Sequence, residues 1–208
     1  MKIILGSASK WRKDILTRMG YEFVETSSHL TSRPGDQSST FEVMAADIDE
    51  KAVRFSDPQK LVLALANAKA DALLPKIKEE VILITSDQVD VCNGEIREKP
   101  KDAEQAREFL RSYNKYPVEA VTAVVAVNTA NQKRKEGVDI AKVWLRPFSE
   151  KKIEELVADG CVFSCAGGYC IAHPLFKDCV EKIEGEFESV VGLPKKLTWK
   201  LIQEALTS

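Results

Sequence analysis

The chain is poor in the features that announce the commonest nucleotide and hydrolase sites. It has no GxxxxGK[ST] and no GxGxxG, so neither a P-loop nor a dinucleotide turn is expected. It has no G-x-S-x-G elbow and only two histidines, His29 and His173, which argues against a Ser-His-Asp hydrolase. A basic excess is also missing. Thirty Lys and Arg stand against 32 Asp and Glu, a formal net charge of -2, whereas proteins that live on nucleic acid carry a clear positive surplus. No polymeric nucleic acid is expected as a partner, and any anion must be small and held by a few local cations.

Long apolar runs are equally scarce. Ile3-Ile4-Leu5 is too short for the core of a signal peptide, and nothing approaches the roughly 20 residues that span a bilayer. The expectation is a cytoplasmic protein with no membrane partner. The cysteines Cys92, Cys161, Cys165, Cys170 and Cys179 are odd in number, in a chain long enough to bury a core without bridges. Five reduced thiols are expected. Cys161, Cys165, Cys170 and His173 have none of the usual zinc-knuckle spacings.

What is present is ordinary globular composition, 44% hydrophobic and 30% charged over 208 residues. One domain spanning residues 1–208 is expected. Lys2 to Leu5 reads as a buried strand, followed by a helix to about Met19 with Gly20 as its stop. A strand is expected over Tyr21 to Glu25. Thr26 to Thr40, Ser/Thr-rich with Pro34-Gly35, reads as a flexible insertion (26–40). Asp57-Pro58 opens a helix that Pro75 ends near Leu74. Val81 to Thr85 reads as a central strand, and Asn93-Gly94 as the turn of a hairpin. A helix from Asp102 to Tyr113, two long strands at Val118–Val127 and Val138–Phe148, and helices at Ser149–Ala158 and Pro194–Leu206 complete an α/β pattern with antiparallel portions.

Three places carry candidate chemistry. On a helical wheel, Lys60, Asn67 and Asp71 fall on one side of the Asp57–Leu74 helix and Leu61, Leu65, Ala72 and Leu73 on the other. Lys69 sits in the middle of the apolar arc. Two readings stand: a stem that packs while the ammonium reaches water, or an inward ammonium that must meet an anion. Asp87 is expected just past the end of the Val81 strand, where α/β sheets gather their ligands, although a turn aspartate is the plainer reading. Ser7, Ser9, Arg12 and Lys13 surround a helix N-terminus, whose free N–H groups and dipole suit phosphate. A capping serine with solvated basic neighbours would look the same.

These segments together resemble the Maf family of nucleotide pyrophosphatases. The pieces are Leu5-Gly6-Ser7-Ala8-Ser9-Lys10-Trp11-Arg12-Lys13, Asp47-Ile48-Asp49-Glu50, Leu65-Ala66-Asn67-Ala68-Lys69-Ala70, Ser86-Asp87-Gln88-Val89, Lys99-Pro100, Ala166-Gly167-Gly168-Tyr169 and Val191-Gly192-Leu193-Pro194. They occur in the family's order over nearly the whole chain. The resemblance implies a two-lobed fold related to the inosine triphosphate pyrophosphatases, with a mixed sheet and a central cleft. It implies metal-dependent hydrolysis of a nucleoside triphosphate to monophosphate and pyrophosphate, with Mg²⁺, Mn²⁺ or Co²⁺ as the ion, and a homodimer. Asp87 and Lys69 match catalytic positions, and Glu50 with Asp87 the metal positions. Ser7, Ser9, Arg12, Lys13 and Lys99 match substrate-holding positions. Trp11 and Gln88 resemble the branch that prefers 7-methyl-GTP, while dTTP or UTP is the alternative substrate. Lys13 stands where arginine is usual, and Ala172 where many members have glutamine. A non-catalytic nucleotide-binding regulator of cell division is the rival from another class, and a hydrolase of modified monophosphates a further one.

Overall fold

The computed structural model describes residues 2–24 and 39–207. Among the described residues, eight strands hydrogen-bond in the order β2-β3-β1-β4-β6-β7-β8, with β5 added to β4, in one mixed sheet. They are β1 (Lys2–Leu5), β2 (Glu22–Phe23), β3 (Thr40–Val43), β4 (Ile82–Cys92), β5 (Glu95–Arg97), β6 (Val118–Asn128), β7 (Lys133–Leu145) and β8 (Val180–Glu184). The helices are α1 (Lys10–Arg18), α2 (Pro58–Leu73), α3 (Ala103–Ser112), α4 (Glu150–Asp159), α5 (Phe187–Val190) and α6 (Lys195–Leu206). No helix of the described residues is long and apolar enough to cross a membrane.

The chain divides into two compact units. The first comprises Met1–Asp87, Thr122–Asp139 and Val191–Ser208, and the second Gln88–Val121 and Ile140–Val190. In the first, β1 lies between β3 and β4, parallel to both, with Leu5 opposite Val43 and Ile84. A strand covered on both faces reads as a continuous apolar run, which is why Ile3-Ile4-Leu5 is uninterrupted and fully buried. Ile3, Leu5, Leu16, Phe41, Ile84, Val124, Leu201 and Ile202 form this unit's core. In the second unit Leu110, Tyr113, Val143, Ile153, Leu156, Val162 and Phe176 form a separate core.

The helix starts follow the sequence signals. The Asp57 carboxylate accepts N–H bonds from Gln59 and Lys60 at the head of α2, and Pro58 occupies the first turn. Asp102 and Ser149 cap α3 and α4 in the same way. Asn93 and Gly94 both have positive φ, as the tight hairpin turn between β4 and β5 requires.

Several expectations are corrected. Strand β4 is continuous over 11 residues, so Asp87 lies within it rather than past its end. The polar run Thr85-Ser86-Asp87 mimics a strand exit, but its side chains are satisfied internally: the Thr85 hydroxyl donates to the Ala66 carbonyl at 2.7 Å, and the Ser86 hydroxyl to the Gly192 carbonyl at 2.9 Å. Thr40 opens β3, so it belongs to the sheet and not to an insertion. The remainder of that segment through residue 38, with His29, lies outside the described residues. The strand expected over Tyr21 to Glu25 is only Glu22–Phe23 within the described residues. β3, β8 and the one-turn α5 lacked a recognisable period. The thiols are not all free either, because Cys165 and Cys170 form a disulfide. Gly167 and Gly168, both at positive φ, fold the intervening turn back on itself. Counting cysteines cannot register a short loop that closes between two cysteines five positions apart.

Gly6 is the tightest point of the first unit. Its N–H donates to the Ile84 carbonyl at 2.7 Å, and an added Cβ would lie 2.6 Å from Thr85 Cγ2 and 2.7 Å from Leu73 Cδ1. Gly6→Ala is expected to destabilise the chain by about 1–3 kcal/mol through overpacking. The shift of its urea unfolding midpoint, at unchanged slope, measures this.

Candidate active site

The C-terminal end of β1 delivers the chain into Ser7-Ala8-Ser9 and then α1. The Ser9 hydroxyl caps α1 by accepting from the Arg12 N–H at 3.5 Å, and the Ser9 N–H donates to the Ser7 hydroxyl at 3.2 Å. One turn in, the Arg12 guanidinium reaches three acceptors. Nε donates to the Gly192 carbonyl at 2.8 Å, and Nη1 to the Ser86 carbonyl at 2.8 Å and the Ser7 hydroxyl at 3.2 Å. Arg12 thus ties the loop after β1, the middle of β4 and the turn at Gly192 into one frame. Burial pushes its pKa down, and the nearby carboxylates of Asp87 and Glu50 oppose that shift.

Beside this frame lies the central charge cluster. Lys69 is on the buried face of α2, and its Nζ donates to Asp87 Oδ1 at 2.5 Å and contacts Glu50 Oε1 at 2.8 Å. Of the two sequence readings, the inward ammonium is the one observed. Asp49 positions Glu50 by accepting from the Lys51 N–H at 3.1 Å, which starts the short Glu50–Ala52 turn. Lys69 and Asp87 are buried, whereas the Glu50 side chain is 57% exposed. Burial holds the Asp87 carboxyl above its ordinary range, and Lys69 and then Arg12 pull against it. Gly6, Ser7, Ala8, Ala45, Ala46, Glu50 and Lys69 line an open pocket of about 220 Å³. A concave, cation-bearing cavity at a helix N-terminus can accept a polyanion.

Ser7, Ser9, Arg12, Glu50, Lys69 and Asp87 are therefore brought together within the first unit. Lys13 is not: its ammonium lies 3.2 Å from the centroid of the Phe23 ring, a cation–π contact. The reason is helical spacing, since neighbours in sequence point about 100° apart. Trp11 stands on α1 with 42% of its surface exposed. Gln88 and Lys99 belong to the second unit. There the Gln88 amide donates to the Ser189 and Val190 carbonyls at 3.2 and 2.9 Å, and Lys99 is exposed. Sequence reasoning missed the structural parts played by Ser86 and Gly192. Both lie in segments that carried the resemblance, but a backbone carbonyl leaves no mark on the residue that bears it.

Replacing Lys69 by Met keeps the packed stem and removes the ammonium. A loss of about 3 kcal/mol is expected near neutral pH, because Asp87 is left buried and less compensated. Its folded-state pKa then lies further above the unfolded value of about 3.9. A carboxyl raised on folding binds its proton more tightly in the folded state, so the deficit shrinks as pH falls through that pKa. Chemical unfolding of the variant and the parent at several pH values checks this, and a deficit independent of pH would break the link.

The family model for Maf-like proteins matches residues 2–205. A 7-methyl-GTP pyrophosphatase of Dictyostelium discoideum is 44% identical over 209 residues, covering 97% of this chain and 96% of that protein. A dTTP/UTP pyrophosphatase of Vibrio vulnificus is 31% identical over 203 residues, covering 98% of each. Another dTTP/UTP pyrophosphatase, of Geotalea uraniireducens, is 33% identical over 196 residues, covering 92% of this chain and 89% of the relative. With its α/β fold, its mixed sheet and a matching model along almost its full length, the chain belongs to the Maf-like protein family.

Proposed function

We propose that the chain is a nucleoside triphosphate pyrophosphatase, acting by attack of water on the α-phosphate to give a nucleoside monophosphate and pyrophosphate. The observation that carries this reading is the single buried ammonium of Lys69 shared by Asp87 and Glu50 beside the head of α1. Transfer at phosphorus depends mainly on positioning and charge stabilisation, and a nucleoside triphosphate brings about four negative charges to such a site. The Ser7 hydroxyl, the N–H groups at the start of α1 and Lys69 supply hydrogen bonds and positive charge to the phosphates. Arg12 adds charge while holding Ser7 in place. Lys13 and Lys99 are assigned to the substrate on family resemblance alone.

Asp87 is proposed to take the proton of the attacking water. Burial raises its pKa and makes it a stronger base than an exposed aspartate, while Lys69 opposes that rise by favouring the carboxylate. The donor set also suits the divalent ion that the family resemblance implies: Glu50 and Asp87 already converge on one cation, the Lys69 ammonium, and both offer only oxygen. Bound there, Mg²⁺, Mn²⁺ or Co²⁺ would offset charge on the phosphate oxygens and acidify water.

For the base, 7-methyl-GTP is the favoured substrate. The relative at 44% identity bears that name, and Trp11 presents an exposed indole on α1. A methylated guanine is cationic, and an aromatic face attracts a cation by about 0.5–2 kcal/mol. The names of the relatives at 31–33% identity keep dTTP and UTP as the second reading.

Two outcomes are expected when 7-methyl-GTP, dTTP and UTP are supplied with a divalent ion and the products are identified. Asp87→Asn should lower kcat at least about 100-fold with an unchanged far-UV spectrum, and near-normal turnover would remove Asp87 from the mechanism. Trp11→Ala should raise KM for 7-methyl-GTP by roughly two- to thirty-fold and leave dTTP and UTP unaffected. An equal effect on all three would refute the stacking role.

A further inference from the structure

A second group of ligand-type side chains lies in the other unit. Asp159 ends α4, Gly160 reverses the chain at φ +87, and Cys161 follows. The Cys161 N–H donates to Asp159 Oδ1 at 3.2 Å, which fixes the carboxylate over the turn. His173 arrives from the loop closed by the Cys165–Cys170 disulfide, its own N–H donating to the Cys170 carbonyl at 2.7 Å. One carboxylate oxygen, one imidazole nitrogen and one thiol sulfur lie within 4.8 Å of one another, and His173 Nε2 is 3.7 Å from Asp159 Oδ1. Tetrahedral zinc with bonds of about 2.0–2.3 Å needs ligand atoms roughly 3.3–3.8 Å apart. The three groups are thus within small side-chain adjustments of that arrangement.

We propose that Asp159, Cys161 and His173 form a binding site for a borderline divalent cation of the zinc type, with water in the fourth position. The mixed sulfur, nitrogen and oxygen set distinguishes it from the all-oxygen pair of Glu50 and Asp87, since thiolate and imidazole select zinc over magnesium. Coordination requires the Cys161 thiolate. Burial, and secondarily Asp159, push that thiol up to about 11, so the entering ion displaces its proton, and one proton leaves per ion bound. The Leu175 N–H donates to His173 Nδ1 at 3.4 Å, which leaves the ring proton on Nε2. Metal at Nε2 moves that proton to Nδ1 and gives up only this long contact. The bound ion staples the end of α4 to the loop that carries His173.

The test uses the full chain, stripped of metal with its disulfide intact, and titrates it with Co²⁺ as a coloured substitute for Zn²⁺. With excess Mg²⁺ present to occupy Glu50 and Asp87, the expected result is an intense near-ultraviolet thiolate-to-cobalt band that saturates at one Co²⁺ per chain and is displaced by Zn²⁺. Cys161→Ser should abolish the band. Asp159→Asn and His173→Gln, at partly exposed positions, should each weaken binding at least tenfold with unchanged far-UV spectra. A double variant, Glu50→Gln with Asp87→Asn, should keep the thiolate-to-cobalt band at the parent's intensity and affinity. This separates the site from the catalytic one. The proposal is overturned if no thiolate band forms, if the band survives in Cys161→Ser and so belongs to Cys92 or Cys179, if it is lost in the double variant, or if it appears only after reduction of the disulfide.

Discussion

A lysine ammonium buried against a helix face has to be met by negative charge, and that requirement organises the first unit of this protein. Lys69 lies on the buried face of α2 with its side chain only 11% exposed, and Asp87 and Glu50 compensate its charge. The arrangement constrains its neighbours in turn. Asp87 must sit within β4, where the strand passes under the buried face of α2, and Thr85 is anchored there by its bond to Ala66. Glu50 must be presented from the other side, which the turn capped by Asp49 accomplishes.

Arg12 carries the same logic outward. Its guanidinium holds two backbone carbonyls and a hydroxyl, so its five donors serve as a frame as well as a charge. Lysine could not replace it, since a single ammonium has no fork to span Gly192, Ser86 and Ser7. Lys13, one residue on, leaves the cluster for the Phe23 ring. Adjacent basic residues at the head of a helix are therefore not interchangeable contributors to an anion site.

The two units differ in their chemistry. The first concentrates oxygen ligands, an ammonium and free helix N–H groups, all suited to hard anions and hard cations. The second holds every cysteine of the chain, a disulfide, and the Asp159, Cys161 and His173 group. Under the two proposals, softer ligands in one unit and hard ones in the other would separate two kinds of ion by donor type.

Much was legible before folding was considered. Caps and breakers at Asp57, Pro58, Gly20, Asp102 and Asn93-Gly94 act through local backbone geometry, so they marked the elements directly. The helical period placed Lys69 on an apolar arc for the same reason. The sequence by itself thus determined the α/β pattern, most helix boundaries and the identity of the charged residues. Tertiary structure alone decided that β4 continues through Ser86-Asp87, that Arg12 bonds to Ser7, Ser86 and Gly192 while Lys13 packs on Phe23, that Cys165 pairs with Cys170, and that His173 meets Asp159 and Cys161. Those outcomes depend on which distant backbone groups and side chains come within hydrogen-bonding reach, and a linear pattern carries no record of such distances.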